Sequence, residues 1–279
     1  MSFLKKDIKK AIEIMSKEKI CPVYVPVYKG DLLKNKVCLI SGGGSGIGKA
    51  ISSAFIENGA RVIITGRNED KLKSVCQMLG ENAFYSVMDI SDAQTIERSF
   101  ASICDQNDFP INVLVNCAGV NNFTRFGEIS EQEFDDVIET NLKGTFFLSQ
   151  TVTNYMIRNG IQGNVLNVGS TSSFNPVNRP YGMSKWGIRG LTLGMAKSLI
   201  QHGIVVNGIA PGPTATAMLM KNGSSDLRND AIPAGRYITP EEVANLSVFL
   251  CSPMGRMIVG EMICVSGGCG VITFDYKSY

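Results

Sequence analysis

The feature that most limits what this chain can fold into is a glycine-rich turn set between a strand and a helix. The apolar, β-branched run KVCLI (36–40) passes directly into Ser41, Gly42, Gly43, Gly44, Ser45, Gly46, Ile47 and Gly48. A helical stripe of Ile47, Ile51, Ala54 and Phe55 follows and stops at Gly59. Glycines at such a turn let the backbone bend tightly and approach a pyrophosphate, whose charge the helix N-terminus stabilises. Strand, glycines, helix and second strand in this order specify a dinucleotide-binding unit. The spacing is GxxxGxG through Gly42, Gly46 and Gly48, not the GxGxxG of the commoner dinucleotide folds.

The rest of the chain repeats this rhythm. Short apolar runs recur at RVIIT (61–65), AFYSV (83–87), INVLVN (111–116), GNVLNV (163–168), GIVVNGIA (203–210) and EMICV (261–265), with helical patterns between them. The pattern predicts an α/β fold, a doubly wound seven-stranded parallel sheet of the Rossmann type in a single domain. Leu72, Val75, Cys76 and Leu79 mark a second helix that stops at Gly80. Capping boxes open three more helices: Ser91 with Gln94, Ser130 with Glu133, and Thr239 with Glu242, the last with Pro240 in the first helical position. A chain of 279 residues can bury one substantial core.

Two segments fall outside the rhythm. Residues 1–34 read as an N-terminal extension to a domain of 35–279, combining a basic amphipathic pattern (Leu4, Ile8, Ile12, Met15) with a stretch whose Pro22 and Pro26 exclude a helix. Packing on the chain's own fold or on a neighbouring subunit is its ordinary reading, and a membrane-surface or partner helix the alternative. Residues 212–238 follow the sixth strand as a connection far longer than the usual span of about two to six residues. Connections of that length are usually functional, and this one reads as a substrate lid.

Composition narrows the function classes. A net charge of +2 with 19% charged and 44% hydrophobic residues gives no basic surface for nucleic acid. No run approaches the roughly 18 apolar residues of a membrane span, and the first ten residues lack an apolar h-region, so a cytoplasmic location is expected. The eight cysteines form no CxxC pair and His202 is the only histidine, which argues against a zinc site and a disulfide framework.

The glycine loop SGGGSGIG resembles the TGxxxGxG loop of the short-chain dehydrogenases/reductases, and further motifs follow in that family's order. Asp89 comes after the third strand; Asn116, Cys117, Ala118 and Gly119 resemble NNAG; Asn141 lies in the helix ETNLKGTFF; Ser170 follows the fifth strand; Tyr181 and Lys185 form YxxxK; Pro211 and Gly212 follow the sixth strand. The resemblance covers about residues 34–268. It is greatest to 3-oxoacyl-carrier-protein reductases and to gluconate 5-dehydrogenases. It implies a dinucleotide held by Gly42, Gly44, Ser45, Gly46, Ile47, Gly48, Arg67, Asn68, Asp89, Ile90, Asn116, Ala118, Gly119, Tyr181, Lys185, Pro211, Gly212, Thr214 and Thr216. It also implies a homotetramer built on the long helix at about 131–158 and on the last helix and strand, with the C-terminal tail near an interface.

The chemistry of YxxxK stands on its own. Tyr181 and Lys185 are four apart, hence on one helix face. A phenol titrates near ~10 in isolation, and a neighbouring ammonium favours its phenolate, making it a usable acid/base at neutral pH. The implied reaction is hydride transfer between NADP(H) and a carbonyl/alcohol carbon, as a ketone reductase of the 3-oxoacyl or keto-sugar class. Tyr181 would exchange the hydroxyl proton, Ser170 would hold the substrate oxygen, Lys185 would also bind the nicotinamide ribose, and Asn141 would hold a relay water. Only eleven positions separate Ser170 from Tyr181, fewer than the family commonly shows, and Ser172 and Ser173 are alternatives to Ser170. Cys117 reads as a tolerated small residue rather than a redox thiol.

Arg67 lies 19 residues beyond Gly48 with no acid before it, where an arginine suits a 2′-phosphate, so NADP(H) is expected. NAD(H) is the alternative, since Glu69 and Asp70 follow closely. His202 stands where carrier-protein reductases typically present a basic residue, which argues against an acidic carrier partner. A non-catalytic dinucleotide sensor or scaffold is the competing class, opposed by the intact set of Asn141, Ser170, Tyr181 and Lys185. An epimerase of the family's extended branch would carry a GxxGxxG loop and a larger C-terminal domain, both absent here.

Overall fold

The structure, a computed structural model, describes residues 30–216, 220 and 226–270. Most of the expected N-terminal extension, eight positions of the expected lid (217–219 and 221–225) and the C-terminal tail lie outside the described residues. Of the 1–34 segment, Leu33 is fully buried in the core, and its amide donates to Asn58 O at 2.8 Å.

Seven parallel strands form one sheet in the order β3-β2-β1-β4-β5-β6-β7. They are β1 (Val37–Ser41), β2 (Arg61–Gly66), β3 (Ala83–Val87), β4 (Val113–Asn116), β5 (Gly163–Val168), β6 (Ile204–Pro211) and β7 (Met262–Val265). The helices are α1 (Gly46–Glu57), α2 (Glu69–Leu79), α3 (Ala93–Asp105), α4 (Glu131–Ile138), α5 (Thr145–Arg158), α6 (Pro180–Leu199) and α7 (Pro240–Cys251). This is the doubly wound sheet that the alternation of apolar runs predicts, and the wholly buried strands explain why those runs are continuous rather than alternating. No described helix is long and apolar enough to cross a membrane.

Strand pleating divides the core into two layers. Cys38 and Ile40 of β1, Val62 and Ile64 of β2, and Val113 and Val115 of β4 meet Phe55 of α1, Leu72 of α2 and Val243 of α7. Their neighbours Leu39, Ile63 and Leu114 point the other way, onto Ile96 of α3, Leu148 and Val152 of α5 and Ala196 of α6. Chain order reverses between β1 and β4, where Ser41 is in register with Asn116. That gap at the carboxyl ends is the switch point at which open α/β sheets bind ligands.

The expected caps hold at Ser130 and Thr239, each a complete capping box. The expected cap at Ser91 does not. Asp92 is the N-cap of α3, its carboxylate accepting from Gln94 N at 3.1 Å, while Ser91 Oγ donates to Asp89 Oδ1 at 2.7 Å. A carboxylate one residue later outcompetes the hydroxyl because Asp89 has already engaged it. The long helix expected at about 131–158 is also not uniform. Between α4 and α5 the chain runs through a π-helical turn, Glu139–Gly144, which contains Asn141.

Glu242 serves both the α7 cap and an ion pair. Its carboxylate accepts from Thr239 N at 2.8 Å and from Arg236 Nη2 at 2.6 Å, and the guanidinium is the main cause of a carboxyl held below its usual range. A depressed carboxylate stabilises the fold above its unfolded-state titration, and that stability is lost as pH falls through the folded value. Glu242→Gln keeps an oxygen for the cap but removes the charge. Thermal melts at pH 7 should place it about 1–3 °C below wild type, as for a partly exposed pair. The gap should close in acid below the carboxylate range, and a gap that persists there would show that the pair's charge is not its cause.

Candidate active site

The chain leaves β1 at Ser41, and the hydroxyl of that buried serine ties the two sides of the switch point together. It accepts from the amides of Cys117 and Ala118 at 3.2 and 3.3 Å. Gly42 turns with φ of 71°, a left-handed conformation that glycine adopts without cost. Gly48 sits so close behind it that a Cβ there would lie 2.3 Å from Gly42 O. Ser45, the N-cap of α1, makes no side-chain cap bond, and no acid stands in the first turn. Helices α2, α4 and α7 are all closed by side-chain caps and carry first-turn acids. The N-terminal amides of α1 are thus left for an anionic ligand beside the glycine turn.

Other predicted positions gather around this cradle. Thr216 returns over the turn, its Cγ2 3.2 Å from where a Gly46 Cβ would lie. Thr214 is buried on the same return, and its hydroxyl donates to Gly212 O at 2.9 Å. Gly212 follows Pro211 and donates its amide to Val265 O at 2.9 Å. Thr65 Oγ1 and Asn116 Oδ1, at the ends of β2 and β4, are buried without a hydrogen-bond partner. An orphaned hydroxyl and an orphaned amide oxygen near the strand ends, around a glycine turn with an open helix N-terminus, fit a polar, phosphate-bearing ligand such as a dinucleotide.

Arg67 is exposed just beyond β2, with no ion-pair partner among the described residues. Asn68 caps α2 by accepting from Lys71 N at 2.9 Å, and Glu69 pairs with Lys73 at 3.0 Å along the helix. The helix cap also brings Lys71 to the glycine turn, its Cγ 3.8 Å from the Cβ position of Gly44. Sequence reasoning missed this second cation, because its position depends on where α2 docks. Asp89 Oδ1 accepts from Ser91 N at 3.0 Å. The Ile90 side chain is buried in the core, and its carbonyl lies against Gly144.

Tyr181 and Lys185 lie on the first turns of α6, with Lys185 Nζ 5.6 Å from the Tyr181 ring centroid. Lys185 is 6% exposed and donates to Val168 O at 2.9 Å, the strand end two residues before Ser170. Gly119 brings Lys185 and Asn141 together: its Cβ position lies 3.3 Å from Asn141 Oδ1 and 3.7 Å from Lys185 Nζ. The Asn141 amide is engaged, accepting from Val120 N at 2.8 Å and donating to Val120 O and to Ser184 Oγ. Among the serines, Ser173 is fully buried and donates its hydroxyl to Lys185 O at 2.8 Å. Ser170 Oγ accepts from Ser172 N at 3.1 Å, which leaves its own proton free.

Burial pushes the Cys117 thiol up to about 11 despite the nearby Lys185, so it is protonated at neutral pH. A buried polar chain, also missed from sequence, joins the strands beneath the site. Asn116 Nδ2 donates to Ser149 Oγ and Asn167 Oδ1, both at 2.8 Å, and Asn167 Nδ2 to Thr192 Oγ1 at 2.9 Å. An asparagine inside the apolar run of β5 was its only sequence signal.

A dinucleotide cradle at the switch point, with a tyrosine and a buried lysine one helical turn apart beside it, defines an oxidoreductase of the Rossmann class. Residues 36–226 match the family model described as short chain dehydrogenase, and the chain belongs to that family. It is 34% identical over 242 residues to a 3-oxoacyl-acyl-carrier-protein reductase of Vibrio cholerae, covering 85% of this chain and 98% of that one. Identity to the gluconate 5-dehydrogenase of Gluconobacter oxydans is 32% over 239 residues, covering 82% and 93%. Among solved structures, a single-substitution variant of actinorhodin polyketide ketoreductase with NADPH superposes with a TM-score of 0.78 at 30% identity, covering 85% of this chain and 98% of that one. The chain is an NAD(P)-dependent oxidoreductase, and a non-catalytic sensor or scaffold has no support among these relatives.

The Gly48 contact gives a direct test of the cradle. Gly48→Ala forces a Cβ against the Gly42 carbonyl and must displace the turn. Fluorescence titration should show NADPH affinity reduced about tenfold or more, while far-UV circular dichroism stays unchanged. Unaltered affinity would mean that the turn does not carry the cofactor.

Proposed function

We propose that the chain reduces a ketone with NADP(H), using Tyr181 as acid/base, Ser170 to hold the substrate oxygen and Lys185 to serve both the cofactor and the tyrosine. The observation that carries this reading is Lys185. A buried ammonium has three donors, and only one is used, on the Val168 carbonyl. Leaving the others bare in the interior is costly, and the ribose hydroxyls of a bound cofactor would accept from them beside Tyr181. A bound nicotinamide supplies the hydride. Tyr181 then gives its proton to the alkoxide oxygen forming on the substrate, while Ser170, its own proton free, donates to the same oxygen. Both hydrogens of the Asn141 amide are bonded, so what it offers a relay water is an acceptor oxygen.

Support for NADP(H) over NAD(H) comes from two cations, Arg67 just beyond β2 and Lys71 beside the glycine turn, and from Glu69 being paired with Lys73. The reductase names among the relatives support a 3-oxoacyl or keto-sugar ketone as the substrate. Exposed Phe146, Phe147, Trp186 and Leu193 on α5 and α6 support association into a homotetramer. Free thiols at every described cysteine support a reducing cytoplasmic location.

Two experiments test these assignments. Purified protein should oxidise NADPH with at least one member of a panel of oxoacyl thioesters, keto-sugars and cyclic ketones. Tyr181→Phe should abolish that turnover with cofactor affinity nearly intact, whereas equal loss of both would make Tyr181 structural. In the second, Arg67→Asp removes a charge-assisted donor to the 2′-phosphate, a loss of about 1.5–3 kcal/mol or roughly ten- to a hundredfold in NADPH affinity. NADH affinity should hold or improve. Equal changes for both cofactors would return the preference to NAD.

A further inference from the structure

The segment between Ser170 and Tyr181 contains a single 3₁₀ turn, Thr171–Ser173, and nothing in its own backbone fixes the distance between the two side chains. Helix α6 reaches out to it at four successive places. Val177 packs on the backbone at Gly182, where a Cβ would lie 2.5 Å from Val177 Cγ1. Ser173 Oγ donates to Lys185 O at 2.8 Å, and Trp186 Nε1 to Asn175 O at 2.8 Å. One turn further on, Arg189 Nη1 donates to Ser173 O at 3.4 Å, and its guanidinium lies 4.2 Å from the Phe174 ring centroid and 5.8 Å from that of Trp186. Positions 182, 185, 186 and 189 share one face of the helix.

Arg189 has no carboxylate partner among the described residues. Its planar cation is held by two aromatic faces and a backbone carbonyl of the 3₁₀ turn, a geometry that lysine cannot reproduce. The same helix carries Tyr181 and Lys185, so whatever fixes the loop to α6 fixes Ser170 relative to both.

We propose that Arg189 and Trp186 are positioning residues that brace the 171–177 loop against α6 and thereby set Ser170 against Tyr181. The proposal rests on the assignment of Ser170 as the group that holds the substrate oxygen. A misplacement of about 1 Å in such a group costs up to about a hundredfold in rate. Arg189 and Trp186 themselves contact only Ser173, Phe174, Asn175 and each other, none of them assigned to the cofactor, so their loss is read in kcat and not in cofactor affinity.

A double-mutant cycle tests this on the full chain, with NADPH and the ketone of highest turnover in the panel above. Arg189→Leu should lower kcat about tenfold or more while leaving the NADPH dissociation constant and the melting temperature near wild type. In a Ser170→Ala background the same substitution should have no further effect, because the group it positions is gone. Trp186→Phe, which keeps a ring but loses the bond to Asn175, should show a smaller loss with the same non-additivity, and it carries the cycle if Arg189→Leu does not fold. Equal factors in both backgrounds, or NADPH affinity falling along with kcat, would overturn the brace alone. A wild-type chain inert toward the whole panel would overturn the ketone-reductase reading, and the brace with it.

Discussion

Strand β1 pairs with β2 on one side and β4 on the other, and the chain leaves their carboxyl ends toward opposite halves of the sheet. That divergence leaves the switch-point gap between them. Everything functional is arranged around that gap. The glycine turn enters from β1, the turn carrying Gly119 enters from β4, and the Ser41 hydroxyl joins them by accepting two amides from the β4 side. Because the register sets Ser41 opposite Asn116, a slip of one residue between β1 and β4 would exchange the residues they send to the two core layers and carry the Ser41 hydroxyl away from the amides it accepts.

Polar groups near this gap are distributed by what can satisfy them. Asn116, Ser149, Asn167 and Thr192 bond to each other beneath the sheet ends and so hold β4, β5, α5 and α6 in one relation. Asn141 grips both backbone groups of Val120 and shapes the chain after β4. By contrast, Lys185, Thr65 Oγ1 and the first amides of α1 are under-satisfied by the protein itself. The closed groups build the frame, and the open ones mark where a ligand completes it.

The sequence made the frame readable because its signals are local. Buried strands appear as continuous apolar runs, and the glycine turn, the boxes at Ser130 and Thr239, and the four-residue spacing of Tyr181 and Lys185 are each legible within a few residues. What escaped was decided over longer distances or by competition between neighbours. Asp92 displaced Ser91 as a cap because Asp89 held the serine hydroxyl. Lys71 reaches the glycine turn only once α2 docks, and that the backbone of α6 takes the Ser173 hydroxyl proton is likewise visible only in the fold.

The π-turn at Glu139–Gly144 has a different kind of consequence. Such a turn is an α-helix carrying one surplus residue, held where the helix would otherwise expel it. Asn141 lies within it, and Gly144 closes it so tightly against Ile90 that a Cβ would lie 2.2 Å from the Ile90 carbonyl. Each residue of an α-helix advances the face by about 100°. A π-turn winds more slowly, so its six residues cover about the same rotation as five of an α-helix, and losing one of them would let the helix become regular with α4 and α5 keeping their faces. What would be lost is the wide turn from which Asn141 grips both backbone groups of Val120. The surplus residue thus sets no helix face; it gives the helix a local widening, placed where Asn141 meets the chain after β4.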